Sequence, residues 1–312
     1  MTSRHLHRLL MLAFVLALII VGASASLRLS ANGIGCSPWP ACYGQAATAA
    51  AAQHSLLVQT LRLAHRLSAS SFALVALLAV VLGWRRWRAG ARGAAVALLL
   101  VTALLAGIGR FTPSALPLIT LINVLGGLSL LLLLAWLLAA STDAPSVESS
   151  APTSAAWQRF ARNAAIVLLL ALAWQAASGA LISVRLAGAA CSQGCDQFWL
   201  PGHIALLDPL RAGSARELLA HAATGQPLHL MHRLFGLATL IVAWAVVMSW
   251  PSRRSRWPRA TAWALSAGLL TGVVAASFDG TLSAVVAHAL LAGLAVAAVG
   301  VMLGGREPER GS

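Results

Sequence analysis

The sequence predicts an all-α integral membrane protein of eight transmembrane helices, arranged as two tandem four-helix bundles related by pseudo-two-fold symmetry. Three observations carry that expectation: the composition, the arginine-punctuated apolar runs, and an internal repeat. Of 312 residues, 59% are hydrophobic and only 10% are charged, and the mean hydropathy is +0.81. A soluble fold carries about a quarter charged residues to face water. That excludes a soluble enzyme, a disordered chain and a disulfide-stapled miniprotein. The basic residues are 22 arginines and no lysine, against 8 acids, for a net charge of +14. Such a charge is compatible with nucleic acid until the arginines are placed.

Eight apolar runs lie near 9–28, 65–84, 93–109, 117–140, 163–184, 229–250, 260–277 and 283–304. Runs of about 20 residues are long enough to cross a bilayer as helices. Arg4 and Arg8 precede the first run, and Arg85, Arg86, Arg88 and Arg92 fill the second connection. Arg159 and Arg162 precede the fifth run; Arg253, Arg254, Arg256 and Arg259 fill the sixth connection. Arg306 and Arg310 close the tail. Fourteen of the 22 arginines thus fall on one side, which the positive-inside rule makes cytoplasmic. The basic excess is a topology signal with anionic lipid as its partner, not a nucleic-acid site. Both termini are expected in the cytoplasm, in a bacterial-type cytoplasmic membrane. The first 26 residues also have the form of a signal peptide, ending in Ala23-Ser24-Ala25. The apolar run continues to Leu29, however, and the repeat requires it, so it is expected to stay as a span.

Residues 141–158 break the pattern. Their Ser/Pro/Ala-rich start, with Asp143 and Glu148, reads as a cytoplasmic linker. It separates an N-terminal bundle, 1–140, from a C-terminal bundle, 159–312. The two halves repeat one another. Leu63-Ala64-His65-Arg66-Leu67 answers Leu230-Met231-His232-Arg233-Leu234, and the segment from Arg28 to Cys36 answers Arg185 to Cys191. Leu105-Ala106-Gly107 answers Leu270-Thr271-Gly272. Histidine, arginine and cysteine are scarce enough here that their pairing argues for duplication over the general likeness of Ala/Leu-rich helices.

Of nine histidines, His5 and His7 sit in the basic N-terminal tail, while His54, His203 and His221 fall in outer loops. His229 stands at a helix entrance. His65, His232 and His288 lie inside apolar helices, where an ionisable group usually serves a cavity, a cofactor or a partner. His232 and His288 each lie about one turn, roughly 5–8 Å, below the outer end of their spans. Two imidazoles at one depth in a bundle can hold a metal or haem iron from opposite faces. The alternative is a pair of packing histidines bonded to carbonyls or hydroxyls. By the repeat, Asn123 occupies the position of His288, so the first half offers His65 without a histidine partner.

All four cysteines fall in predicted outer loops, Cys36 with Cys42 and Cys191 with Cys195. An oxidising compartment favours one local disulfide per loop. Bracing a loop is the simpler role, and redox exchange through the stiff Pro38-Trp39-Pro40 loop is the other. No C-x-x-C-H motif is present, so covalent c-type haem attachment is not expected. No nucleotide-binding motif for NAD or flavin is present either.

The ordered set of loop 35–45 (with Cys36 and Cys42), His65-Arg66, Cys191, Cys195, His232-Arg233 and His288 resembles the haem A synthase family over nearly the whole chain. The resemblance implies a membrane oxidoreductase that converts the C8 methyl of haem O to the formyl of haem A for terminal oxidase biogenesis. It implies haem b as cofactor, ligated by His232 and His288, with Arg233 and Arg66 beside the haem sites. It places substrate haem in the first half, with His65 as a ligand to its iron and Arg62 and Asn123 nearby. The implied partners are haem O, membrane lipid, an electron acceptor, haem O synthase and terminal oxidase subunits, and a homo-oligomer is compatible with them. The chain departs from the family pattern at two positions. Arg62 stands where a carboxylate is expected, and Asn123 stands where a histidine is expected. Three readings therefore stay open: a haem A synthase, a bis-histidine b-type cytochrome, and a non-catalytic haem-binding assembly factor.

Overall fold

The structure, a computed structural model, describes residues 3–31, 56–109, 116–141, 155–185, 187–191, 195, 207–211, 225–249, 256–277 and 282–304. Eight α-helices and one short 3₁₀ turn make up the described residues, with no strand among them. The helices are α1 (Ser3–Ala31), α2 (Leu56–Gly83), α3 (Ala89–Ile108) and α4 (Pro117–Ser141), then α5 (Ala155–Val184), α6 (Gln226–Ser249), α7 (Arg256–Ser277) and α8 (Leu282–Gly304). Seven of them are long and apolar enough to cross a membrane. The chain is a multi-pass membrane protein.

Helix α7 is likewise expected as a span; it opens on Arg256, Pro258 and Arg259 and carries Thr261, Ser266 and Thr271. Those hydroxyls are satisfied on the helix itself, donating to Trp257 O at 3.1 Å, Ala262 O at 2.9 Å and Gly268 O at 2.9 Å. The apolar helices treat their polar side chains alike: Ser26, Thr102, Ser129 and Thr239 each donate to the carbonyl four residues back. Hydrocarbon offers no other partner, so each group must be satisfied within the protein. The helices also begin earlier than the apolar runs. Helix α2 starts at Leu56 rather than near 65, and α5 starts at Ala155 rather than near 163, because polar turns extend each helix beyond its apolar stretch.

Helix α1 packs against α2 and α4, α3 packs against α4, and α2 meets α3. In the second half α5 packs on α6, α6 on α7, α7 on α8 and α8 on α5. Between the halves α4 runs along α8, while α4 touches α5 and α1 touches α8. One core joins Leu10 and Ala13, Phe72 and Ala76, Leu98, and Leu131 and Leu134. A second joins Leu168 and Leu172, Ala243, Ala262, Val296 and Val299, and reaches Leu128 of α4. Large apolar side chains such as Leu74, Leu100, Leu170 and Ile241 point outward. In a bilayer, that is where they face lipid.

Helices α4 and α8 approach closely because α8 presents glycines to α4. A Cβ on Gly304 would lie 2.6 Å from Trp136 O, and one on Gly300 would run into Leu132 O. On Gly293 it would lie 2.9 Å from the Leu131 side chain. Small residues at this spacing let backbones approach where no hydrophobic force drives helices together.

The end of α5 and the start of α4 are tied by backbone carbonyls. Arg185 follows α5 and is 5% exposed; it donates to Arg211 O at 2.8 Å and to Asp208 O at 2.7 Å. The same 207–211 segment accepts Leu118 N on Pro209 O at 2.9 Å, fastening it to the start of α4. At the opposite ends, His7 Nδ1 meets Ser141 Oγ at 3.5 Å, which puts the start of α1 beside the end of α4.

Cys191 and Cys195 form a disulfide with Cα atoms 4.9 Å apart. Cys36 and Cys42 lie outside the described residues. The expected bond between Cys191 and Cys195 should appear in non-reducing peptide maps of protein taken from thiol-blocked cells. Recovery of both cysteines as blocked free thiols would refute it.

Candidate functional site

The candidate site residues gather where α5 and α7 end and α6 and α8 begin. His232 and His288 each sit six residues into their helices, about 9 Å along the axis. Their rings meet edge-on, with centroids 6.2 Å apart and planes inclined at 63°. The sequence placed them at one depth; the structure also turns them toward each other.

Neighbouring helices hold each ring. Across from His232, α5 brings Ser178 Oγ to Nδ1 at 2.9 Å. Gln175 Nε2 lies 3.2 Å from His232 Nε2 and donates to His232 O at 2.8 Å. Ser178 also donates to Gln175 O at 3.0 Å. The Gln175 NH₂ that donates to His232 O also faces His232 Nε2, so Nε2 is the acceptor and the ring proton sits on Nδ1. Ser178 Oγ then accepts from His232 Nδ1–H. Across from His288, α7 brings Gly268 O to Nδ1 at 2.7 Å. A carbonyl forces Nδ1 to donate, so His288 also keeps its lone pair on Nε2. The two imidazoles are set in the same tautomer.

Close glycines make room for both rings. A Cβ on Gly179 would lie 3.2 Å from His232 Cε1, and one on Gly272 would lie 3.3 Å from His288 Nδ1. Gly236 performs the same service for Gln175, whose Nε2 would meet a Cβ at 2.9 Å. Above the rings, Leu181, Ile182, Ala187 and Leu228 form an apolar cluster with Leu121 and Met231 packed against it.

This arrangement can hold one metal ion between two imidazoles. An imidazole nitrogen sits about 2 Å from a metal it ligates, so two opposed rings on one metal have centroids roughly 6–6.5 Å apart. The observed 6.2 Å falls in that interval. Among the described residues no group of three or more His, Cys, Asp or Glu converges. Two ligands suit a metal whose remaining positions are filled by a macrocycle better than a bare ion needing four protein ligands.

Family comparison supports the chain's placement. A family described as cytochrome oxidase assembly protein matches residues 7–300. The chain belongs to this family. The match spans both halves of the helical array and bears out the family resemblance read from the sequence. Cytochrome oxidase assembly is therefore the process in which this family member takes part. No curated protein matches the chain.

The first half of this assembly protein is built differently. His65 is half-buried on α2, on the helix face that also carries the buried Val58, Ser68 and Phe72. It sits nine residues into α2, about 13 Å along the axis, deeper than the sequence suggested. Asn123 is half-buried on α4, and Arg62 and Arg66 are exposed. Among the described residues no hydrogen bond or ring contact joins His65 to Asn123. Arg233, next to His232, is exposed as well.

The residues that sequence reading missed are Gln175, Ser178, Gly179, Gly268 and Gly272. Signals existed for two of them: Gly272 falls in the repeated Leu270-Thr271-Gly272 element, and Gln175 is polar within an apolar span. Polar groups in that setting tend to be functional.

Proposed function

We propose that this chain is a haem A synthase-type oxidoreductase whose second half, 159–312, binds haem b through His232 and His288. One observation carries the reading: two imidazoles with centroids 6.2 Å apart, each with Nδ1 committed to a hydrogen bond and its lone pair on Nε2. Haem bound there supplies reversible one-electron chemistry at its iron. The protein's own contribution is to fix both rings, exclude water with the apolar cluster around Leu228, and offer Arg233 to haem carboxylates at the outer interface.

On this reading the first half, 1–140, is the substrate half, joined through the 141–158 linker. His65 faces into it as the ligand to haem O, and Arg62, Asn123 and Arg66 belong to the same region. Two four-helix bundles related by a two-fold axis fit the helix contacts: exchanging α1–α4 with α5–α8 carries the α4–α8, α4–α5 and α1–α8 pairs onto themselves. The membrane is a bacterial-type cytoplasmic one, with both termini inside and the cysteine loops outside. The partners are haem O, its synthase and terminal oxidase subunits.

A second reading has its own support. No Asp or Glu precedes Asp143 in the chain, and Asn123 is a poor iron ligand. A first half with no carboxylate, and with no histidine at the position answering His288, suits an electron carrier or an assembly factor. Pigments extracted from membranes that supply haem O separate the two. The first reading expects haem A only when the chain is present, loss of haem A in His65→Ala, and an increase in Arg62→Glu/Asn123→His. Haem b without any haem A, in the parent chain and the double variant alike, selects the second.

A further inference from the structure

We propose that Gln175 and Ser178 are positioning residues for His232 as a metal ligand, Ser178 fixing its proton on Nδ1 and Gln175 guarding Nε2 until the metal arrives. The inference rests on the haem-binding reading of His232 and His288. It concerns two residues outside the set of histidines, arginines and cysteines that carries the family resemblance.

The hydrogen-bond directions leave little choice. Gln175 Nε2 reaches two groups, His232 O at 2.8 Å and His232 Nε2 at 3.2 Å. The first is an acceptor by nature, and the second becomes one once Nδ1 donates to Ser178. Turning the amide over would bring its oxygen against both acceptors. The amide must therefore present its NH₂, and its Oε1 is left buried without a hydrogen-bond partner among the described residues. A buried, half-satisfied carboxamide holds its place by weak compensation and gives it up readily. It also stands at the nitrogen a metal would take.

The repeat shows what this arrangement adds. The frame that aligns Arg185 with Arg28 sets Gln175, Ser178 and Gly179 against Leu18, Val21 and Gly22. The glycine is kept, and both polar positions are apolar in the first half. A duplicated helix that needed only to pack would have no use for a glutamine and a serine pointed at one imidazole. His288 needs no such pair, because the carbonyl of Gly268 performs the task from the backbone.

The two residues then have opposite effects on metal binding. Ser178 stabilises the ligating tautomer, so removing it weakens retention. Gln175 occupies the ligand nitrogen, so removing it speeds entry. A role in packing alone predicts loss in both.

The test uses the full-length chain in detergent, stripped of haem and titrated with ferric haem. Ser178→Ala should lose bound haem to an apoglobin scavenger about 10–100-fold faster than the parent chain, the usual effect of removing a ligand's hydrogen-bond partner. Ser178→Thr, which keeps the hydroxyl, should restore slow release. Gln175→Leu should bind haem faster than the parent and yield the same low-spin spectrum. The proposal is overturned if Gln175→Leu binds no faster, or if Ser178→Ala releases haem at the parental rate. Helical content by circular dichroism identifies a variant that has failed to fold, and Gln175→Met then replaces the leucine variant under the same criteria. A parent chain that takes up no low-spin haem overturns the underlying haem reading instead.

Discussion

His232→Ala and His288→Ala should each abolish the low-spin b-type haem spectrum of the purified protein, the largest effect expected of any single substitution. The two rings meet edge-on, with centroids 6.2 Å apart, and share no other side-chain ligand among the described residues. Removing one imidazole leaves iron with one strong axial ligand, which favours a high-spin, five-coordinate state and weaker retention. Each substitution also opens a ring-sized space beside a glycine, at Gly179 or Gly272. Free imidazole should enter that space and restore the low-spin spectrum, which a purely structural defect would not allow. His65→Ala should leave the spectrum as it was. A low-spin spectrum that persists in either ligand variant removes the cofactor assignment.

The sequence singled out these two histidines because a histidine in an apolar helix is costly and rare, and because one repeat unit could be laid over the other. Their hydrogen-bond partners were hidden for a different reason. Ser178 and Gln175 become meaningful only when α5 is rotated to face α6, and a nearly uniform apolar helix carries little periodicity to fix that rotation. The Gly268 carbonyl leaves no trace in a sequence at all. Helix starts were misplaced where polar turns such as Gln59-Thr60-Leu61-Arg62 extend α2 beyond its apolar run. The α4–α8 pairing was legible in principle. Gly293, Gly300 and Gly304 recur at intervals of seven and four residues, a small-residue face that marks close helix contact in membranes.

That contact supplies the second large expectation. Gly300→Leu should destabilise the protein by about 1–3 kcal/mol, the usual range for forcing extra methylenes into a packed interface. The upper end is favoured because the obstruction is backbone: a Cβ there meets Leu132 O and lies 3.2 Å from the Ala135 Cβ. A flexible side chain could rotate away, and a carbonyl in the middle of α4 cannot. The strain has to be relieved by separating α4 from α8, which also carries His288. Gly300 lies twelve positions, about 18 Å of helix, beyond that histidine. The thermal unfolding midpoint in detergent should therefore fall by several degrees, and the low-spin haem fraction should fall with it. Gly107→Leu is the matched control, because a Cβ on Gly107 meets nothing within 4 Å and the added side chain enters open space. A Gly300→Leu protein as stable as the Gly107→Leu control would show that α4 and α8 do not pack through this glycine face. Equal haem retention in both variants, despite a lowered midpoint, would show that His288 is held by α7 through Gly268 alone and not by the seam between the halves.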